Sequence, residues 1–99
     1  MRHIRDLKIS ANSDEPLALY SLAVYYDQGK FLEEDKKSAQ EFYCRAANAG
    51  NDLAKHIYGI MLYYGTETLE IDKELGLSFL NSSAENGVED AKIFLDSIK

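Results

Sequence analysis

The sequence predicts an all-α fold, an α-α superhelix (solenoid) of two helix-turn-helix repeats flanked by single capping helices. Three observations predict it: an internal repeat, apolar residues at helical spacing within each half-repeat, and cap residues at the expected ends. At an offset of 36, Leu17 falls on Leu53, Ala18 on Ala54 and Gly29 on Gly65, while Ala23 meets the equally small Gly59. Beyond Gly65 the offset becomes 37, and Asp35 meets Asp72, Lys36 meets Lys73, Phe42 meets Phe79, Ala47 meets Ala84 and Gly50 meets Gly87. The extra residue falls in the loop between glycine and aspartate, where insertion costs little.

Taken in order, the first element is a helix over 2–11. Run backwards, the repeat register puts Leu7 at the position of Tyr43 and Ala11 at that of Ala47, so this helix is a degenerate second helix of a preceding unit. The next helix, 15–28, carries Ala18, Leu22 and Tyr26 on one face and starts beside Pro16, which is tolerated in a first turn. Asp35 opens the helix over 36–49 as N-cap. Asn51 does the same for 52–64, whose Ala54, Tyr58 and Leu62 repeat the face, and Asp72 opens 73–86. A last helix, 88–98, begins a third copy, with Ala91 on Ala54 and Leu95 on Tyr58. Gly29, Gly50, Gly65 and Gly87 each follow a periodic run, where a left-handed residue ends a helix. Ala47 and Ala84 are expected in buried helix crossings. The expected organisation is one domain, 1–99, with capping helices 2–11 and 88–98 around repeats 15–50 and 51–87.

The ordered small residues Ala18, Ala23, Ala39, Ala46 and Ala47, with Gly29 closing one helix, Asp35 opening the next and the Ala-Ala-x-x-Gly exit at Gly50, resemble the Sel-one-like repeat family, relatives of the tetratricopeptide repeats. The resemblance spans residues 15–98. The second copy departs from the pattern at Gly76, Leu80 and Ser83, and Gly76 is expected to weaken its helix, since an interior glycine costs about 0.5–1 kcal/mol. The resemblance implies a right-handed superhelix of antiparallel helix pairs that binds proteins or peptides, often as an adaptor, and implies no reaction.

Charge narrows the partners. The chain holds 17 acidic and 11 basic side chains, a net −6, and the imbalance grows after the first eight residues, where Arg2, Arg5 and Lys8 face only Asp6. From Ile9 onward 16 acidic side chains stand against 8 basic ones. Such a surface repels phosphate backbones and attracts basic proteins, so nucleic acid is not an expected partner. Residues 1–30 hold no basic-then-apolar leader, and no stretch approaches the roughly 20 apolar residues a membrane span needs. Cys44 has no second cysteine to pair with. The cytoplasm is the expected compartment.

Nothing in the pattern points to chemistry, and neither a cofactor nor a metal is expected. Cys44 and His56 lie on different helices with no signature of a cysteine enzyme, and Cys44 reads as a slowly reacting packing thiol. Glu33, Glu34 and Asp35 form a solvated acidic loop ending in a cap. Two histidines and one cysteine lack metal-ligand spacing. The candidate partner-binding residues are those that the packing face does not use. Tyr20, Val24 and Asp27 form one stripe on the first helix of repeat one; His56, Ile60 and Tyr63, with adjacent Tyr64, repeat it; and Ile93, with Ser97, extends it on the last helix. By the resemblance, this face lines the concave groove.

The function expected is protein–protein interaction through that groove, with a basic-surfaced protein as partner, and in a more specific form an acidic immunity or antitoxin-type inhibitor of a basic toxin. An initiating methionine and a free-standing length fit that form. The alternative is a structural oligomerisation or adaptor module assembling through its terminal helices by way of Leu7, Phe94 and Ile98. The expected state is a monomer or weak homodimer.

Overall fold

The structure is a computed structural model describing residues 2–99. Six helices occur in order: α1 Arg2–Asn12, α2 Pro16–Gln28, α3 Lys36–Asn48, α4 Asp52–Tyr64, α5 Lys73–Glu85 and α6 Glu89–Ser97. Among the described residues there is no strand; one isolated bridge, Thr66 with Leu69, closes the loop after α4. The chain divides into two compact units, residues 1–51 holding α1 to α3 and residues 52–99 holding α4 to α6.

In the first unit α2 packs on α3 and also receives α1. Leu19, Leu22, Ala18 and Ala23 of α2 are buried, as are Ala39, Tyr43, Ala46 and Ala47 of α3 and Ile4 and Ala11 of α1. Ala23 and Ala39 supply the small side chains at the α2–α3 crossing. In the second unit α4 packs on α5 as α2 does on α3, but the third helix, α6, packs on α5, the second helix of the pair; Ala54, Tyr58, Leu62, Leu80 and Ala91 are buried.

Cap chemistry fixes the helix ends. Asp35 accepts the Ser38 amide at 3.1 Å, and Asp72 accepts the Leu75 amide at 3.0 Å, so the same side-chain cap starts both second helices. Each of these aspartates also donates its own amide backwards, Asp35 to the Tyr26 carbonyl at 2.9 Å and Asp72 to the Leu62 carbonyl at 2.8 Å. Tyr26 and Leu62 are equivalent positions. The residue inserted in the second loop is therefore absorbed within a turn that the same backbone hydrogen bond closes in both repeats. Gly65, at φ 76°, makes that turn, with the side chain of Ile71 close against its backbone. At the start of α2 Pro16 lies in the first turn, as expected, and Glu15 is the N-cap, its carboxylate accepting the amides of Leu17 at 3.2 Å and Ala18 at 2.8 Å.

Gly76 has a different role from the one its helix propensity gives it. It is buried on α5 against Gly59 of α4, and a Cβ built on Gly76 would lie 2.7 Å from the Gly59 carbonyl oxygen and 3.1 Å from the Tyr63 amide nitrogen. A Cβ on Gly59 would lie 2.9 Å from the Gly76 carbonyl oxygen and 2.8 Å from Leu80 Cγ. The two backbones approach more closely than any side chain allows. The equivalent pair in the first unit, Ala23 and Ala39, keeps its methyls. Ser83, where the first copy has Ala46, is also fully buried, and its hydroxyl donates to the Asp52 carbonyl at 2.7 Å, joining the C-terminal half of α5 to the start of α4. Ala84 departs from expectation: Ala47 is 1% exposed, but Ala84 is only half-buried because it lines an open groove beside α6.

These contacts give a test. Gly76→Ala should lower unfolding free energy by about 1–3 kcal/mol through overpacking, despite a gain of up to about 1 kcal/mol in helix propensity. Denaturant titration of the two chains measures it, and the expected sign is opposite to that of an exposed helical glycine.

Candidate functional site

In the first unit, much of the expected stripe is engaged in the fold. The Tyr20 ring lies 6.2 Å from that of Tyr43, and Tyr20 and Val24 are half-buried. Asp27 joins the end of α2 to α3. Its carboxylate accepts Lys36 Nζ at 2.9 Å and the Tyr43 hydroxyl at 3.3 Å, while the same ammonium donates to the Asp27 carbonyl at 2.7 Å. A cation placed on a helix's last carbonyls also suits the helix dipole.

In the second unit the stripe is more open. His56, Ile60 and Tyr63 are half-buried, Tyr64 is 60% exposed, and Ile93 on α6 is 58% exposed. Three rings meet here edge to face: Tyr63 with Tyr64 at 5.1 Å, Tyr63 with Phe94 at 5.6 Å and Tyr64 with Phe94 at 6.0 Å. Lys73 Nζ sits 5.1 Å from the Tyr63 ring centroid. The rings restrain one another, so Tyr64 is presented by a support that is already assembled. The exposed Glu67 and Glu70 lie on the loop that follows α4. Phe94 is the member of this group that the sequence pattern did not place on the binding face. It falls one residue from Ile93, and its part was legible only as an end-helix apolar residue.

A second aromatic group lies in the first unit. Phe31, at φ 64° and 52% exposed, packs edge to face on Tyr25 at 5.1 Å and on His3 at 6.1 Å, with Lys30 Nζ 5.4 Å from its ring. His3 Nε2 and the Tyr25 hydroxyl are hydrogen-bonded at 2.9 Å. A bulky residue in left-handed backbone is unfavourable by itself, and these ring contacts offset the strain. No spacing rule announced this cluster.

Cys44 is half-buried on α3, where the Asn48 side-chain amide donates to its sulfur at 3.5 Å. No group of three or more His, Cys, Asp or Glu residues positioned to hold a metal occurs among the described residues. No helix among them is long and apolar enough to cross a membrane.

The arrangement of paired helices, aspartate-capped second helices and small-residue crossings is that of a helical-repeat scaffold. The Sel1 repeat family matches the chain twice, over residues 16–51 and 53–88, and the chain belongs to that family. Its fold is similar to that of a Sel1 repeat protein from Oxalobacter formigenes, with TM-score 0.82 and 28% identity, covering 96% of this chain and 71% of that one. It is also similar to a protective antigen present in uropathogenic Escherichia coli strains, which displays the same fold, with TM-score 0.78 and 25% identity over 93% of this chain. This chain spans 20% of the length of that antigen. No curated protein matches the chain. Sel1 repeats in general mediate protein–protein interaction.

The Asp27 junction makes stability pH-dependent on the alkaline side. Burial, and then the neighbouring Asp27 carboxylate, raise the Tyr43 phenol above its ordinary value of 10.0. The hydrogen bond to Asp27 likewise raises Lys36 above its ordinary 10.5. Both groups keep their protons in the folded chain at pH values where the unfolded chain has lost them. Their stabilisation is thus complete below about pH 10 and is lost as pH rises past it, for the phenol by up to about 1.4 kcal/mol per pH unit. Denaturant unfolding between about pH 8 and 11 should show this decline, and Tyr43→Phe should flatten it.

Proposed function

We propose that this chain is a protein-binding module without catalytic activity, whose contact surface is carried by the first helix of each repeat and by α6. The residues assigned to it are Tyr20, Val24 and Asp27 in the first unit and His56, Ile60, Tyr63, Tyr64 and Ile93 in the second. The observation that carries the reading is the exposed edge of the second unit's aromatic group. A tyrosine supported by two further rings exposes more than half its surface, beside an exposed isoleucine, at positions the core does not require. Aromatic anchors of this kind, amphipathic and already ordered, concentrate binding energy at protein interfaces.

The partner is a protein with a basic surface. The second unit carries nine acidic side chains against four basic ones, and Glu67 and Glu70 stand on the loop leaving the aromatic helix. Opposite charge at the rim steers encounter, while the anchors govern how long the complex lasts. In its specific form, the module is an acidic inhibitor of the immunity or antitoxin type acting on a basic toxic enzyme in the cytoplasm.

The reading is tested by capture from the native cell with the wild-type chain and with a Tyr64→Ala/Ile93→Ala chain in parallel, followed by rate measurements on the recovered protein. Both positions are exposed, so folding should persist. Each truncation should chiefly accelerate dissociation, with the pair costing at least about 2 kcal/mol. Glu67→Gln/Glu70→Gln should instead slow association, by less as salt rises. Equal recovery by both chains would overturn the assigned surface, and salt-independent association would overturn the basic partner.

A further inference from the structure

The groove beside Ala84 has a counterpart in the first unit, and comparison of the two identifies what fits it. In the second unit α5 and α6 enclose an open groove of about 550 Å³ lined by Leu77, Asn81, Ala84, Leu95 and Ile98, with Lys92, Asp96 and Lys99 as its charged members. In the first unit Lys8, Ala11 and Leu22, at the repeat positions of Asn81, Ala84 and Leu95, line the corresponding space between α1 and α2. There the space is reduced to about 280 Å³, and Phe42 and Arg45 of α3 form its remaining wall. Arg45 secures that wall by donating to the Ala11 carbonyl at 3.0 Å and to the Asp14 carboxylate at 3.1 Å. The groove on α5 and α6 is therefore a seat for a helix of the second type, and among the described residues none fills it.

The chain also presents a helix of that type with its own partner face open. In repeat register α1 is a second helix: Leu7 stands where α3 has Tyr43 and α5 has Leu80, both at most 2% exposed, yet Leu7 is only half-buried. Ile9 stands at the position of Arg45, the residue that reaches the groove in the first unit, and is 60% exposed. Asp6 stands at the position of Phe42, where it would meet a groove whose charged lining is Lys92, Asp96 and Lys99, one cation in excess. The net charges of the two surfaces are opposite in sign. Helix α1 holds Arg2, Arg5 and Lys8 against Asp6, whereas α5 and α6 hold Glu74, Glu85, Glu89, Asp90 and Asp96 against fewer lysines.

We infer that the α5–α6 groove is a docking site for α1 of a second copy of this chain. The contact is head to tail, using different surfaces on the two copies, so each molecule has one donor helix and one acceptor groove. One helix in one groove buries less than a stable dimer interface does, which makes the association weak and dependent on concentration. The inference is independent of the proposed partner surface, because none of the residues that line the groove belongs to that surface.

Sedimentation velocity of the full chain across a wide concentration range tests it. The mean mass should rise with concentration. Ile9→Ala removes the apolar side chain of the donor helix, and Asn81→Arg places a bulky cation in the acceptor groove; both positions are exposed, and circular dichroism should report unchanged helix content. Each variant alone should self-associate at least about tenfold more weakly than wild type. Mixed together, the two variants should recover one wild-type contact, Ile9 of the Asn81→Arg chain seated in the intact groove of the Ile9→Ala chain, and form a heterodimer that grows no further. A single-chain mass at every concentration would overturn the inference, as would self-association that neither variant weakens, or variants whose mixing restores nothing.

Discussion

At the crossing of α4 and α5 two backbones lie so close that neither glycine can carry a side chain, and most other features of the unit depend on that approach. With Gly76 against the Gly59 carbonyl, α5 is near enough for the Ser83 hydroxyl to reach the Asp52 carbonyl. It is also near enough for the Asp72 amide to close on Leu62. Burying the Ser83 hydroxyl without such a partner would cost on the order of 1–3 kcal/mol. The first unit meets the same constraint with alanines and adds a side-chain junction, Lys36 and Tyr43 on Asp27, to hold the corresponding turn. Two chemical solutions thus produce one repeat geometry.

The constraint also determines which residues remain for function. A helix that gives its small residues to the crossing and its leucines to the core has one further face, and on α4 that face bears Ile60, Tyr63 and Tyr64. In the second unit α6 contributes Phe94 to the same aromatic group, so a helix that contributes little to the core supports the exposed tyrosine. In the first unit the equivalent face is drawn into the fold through Tyr20 and Asp27. The repeats are alike in backbone and unequal as surfaces, and the proposed contact centre falls on the second for that reason.

Helix positions were legible in the sequence because the signals were local. Asp35 and Asp72 cap as their spacing predicts, and all six helices lie within a residue or two of the expected ranges. The less legible features arise from pairs of residues far apart in sequence. Gly76 reads as a helix weakness until Gly59 is placed opposite it, and Asp27 reads as a surface acid until Lys36 and Tyr43 converge on it. Ala84 shares the sequence environment of Ala47, but its burial depends on what covers the groove. The Glu15 cap has no sequence signature, since glutamate is not among the side chains that commonly cap a helix start. The His3, Tyr25 and Phe31 cluster needs a left-handed Phe31, which no sequence periodicity signals.

The dependence on close approach is tested most directly by a double-mutant cycle on Gly59→Ala and Gly76→Ala, measured by denaturant unfolding. If the two glycines share one contact, the first methyl forces the helices apart and the second then meets a gap already opened. The double variant should accordingly be more stable than the sum of the single losses predicts, by at least about 0.5 kcal/mol. Additive losses would contradict the account, since they would mean that each glycine acts on its own helix and that their mutual approach does not organise the unit.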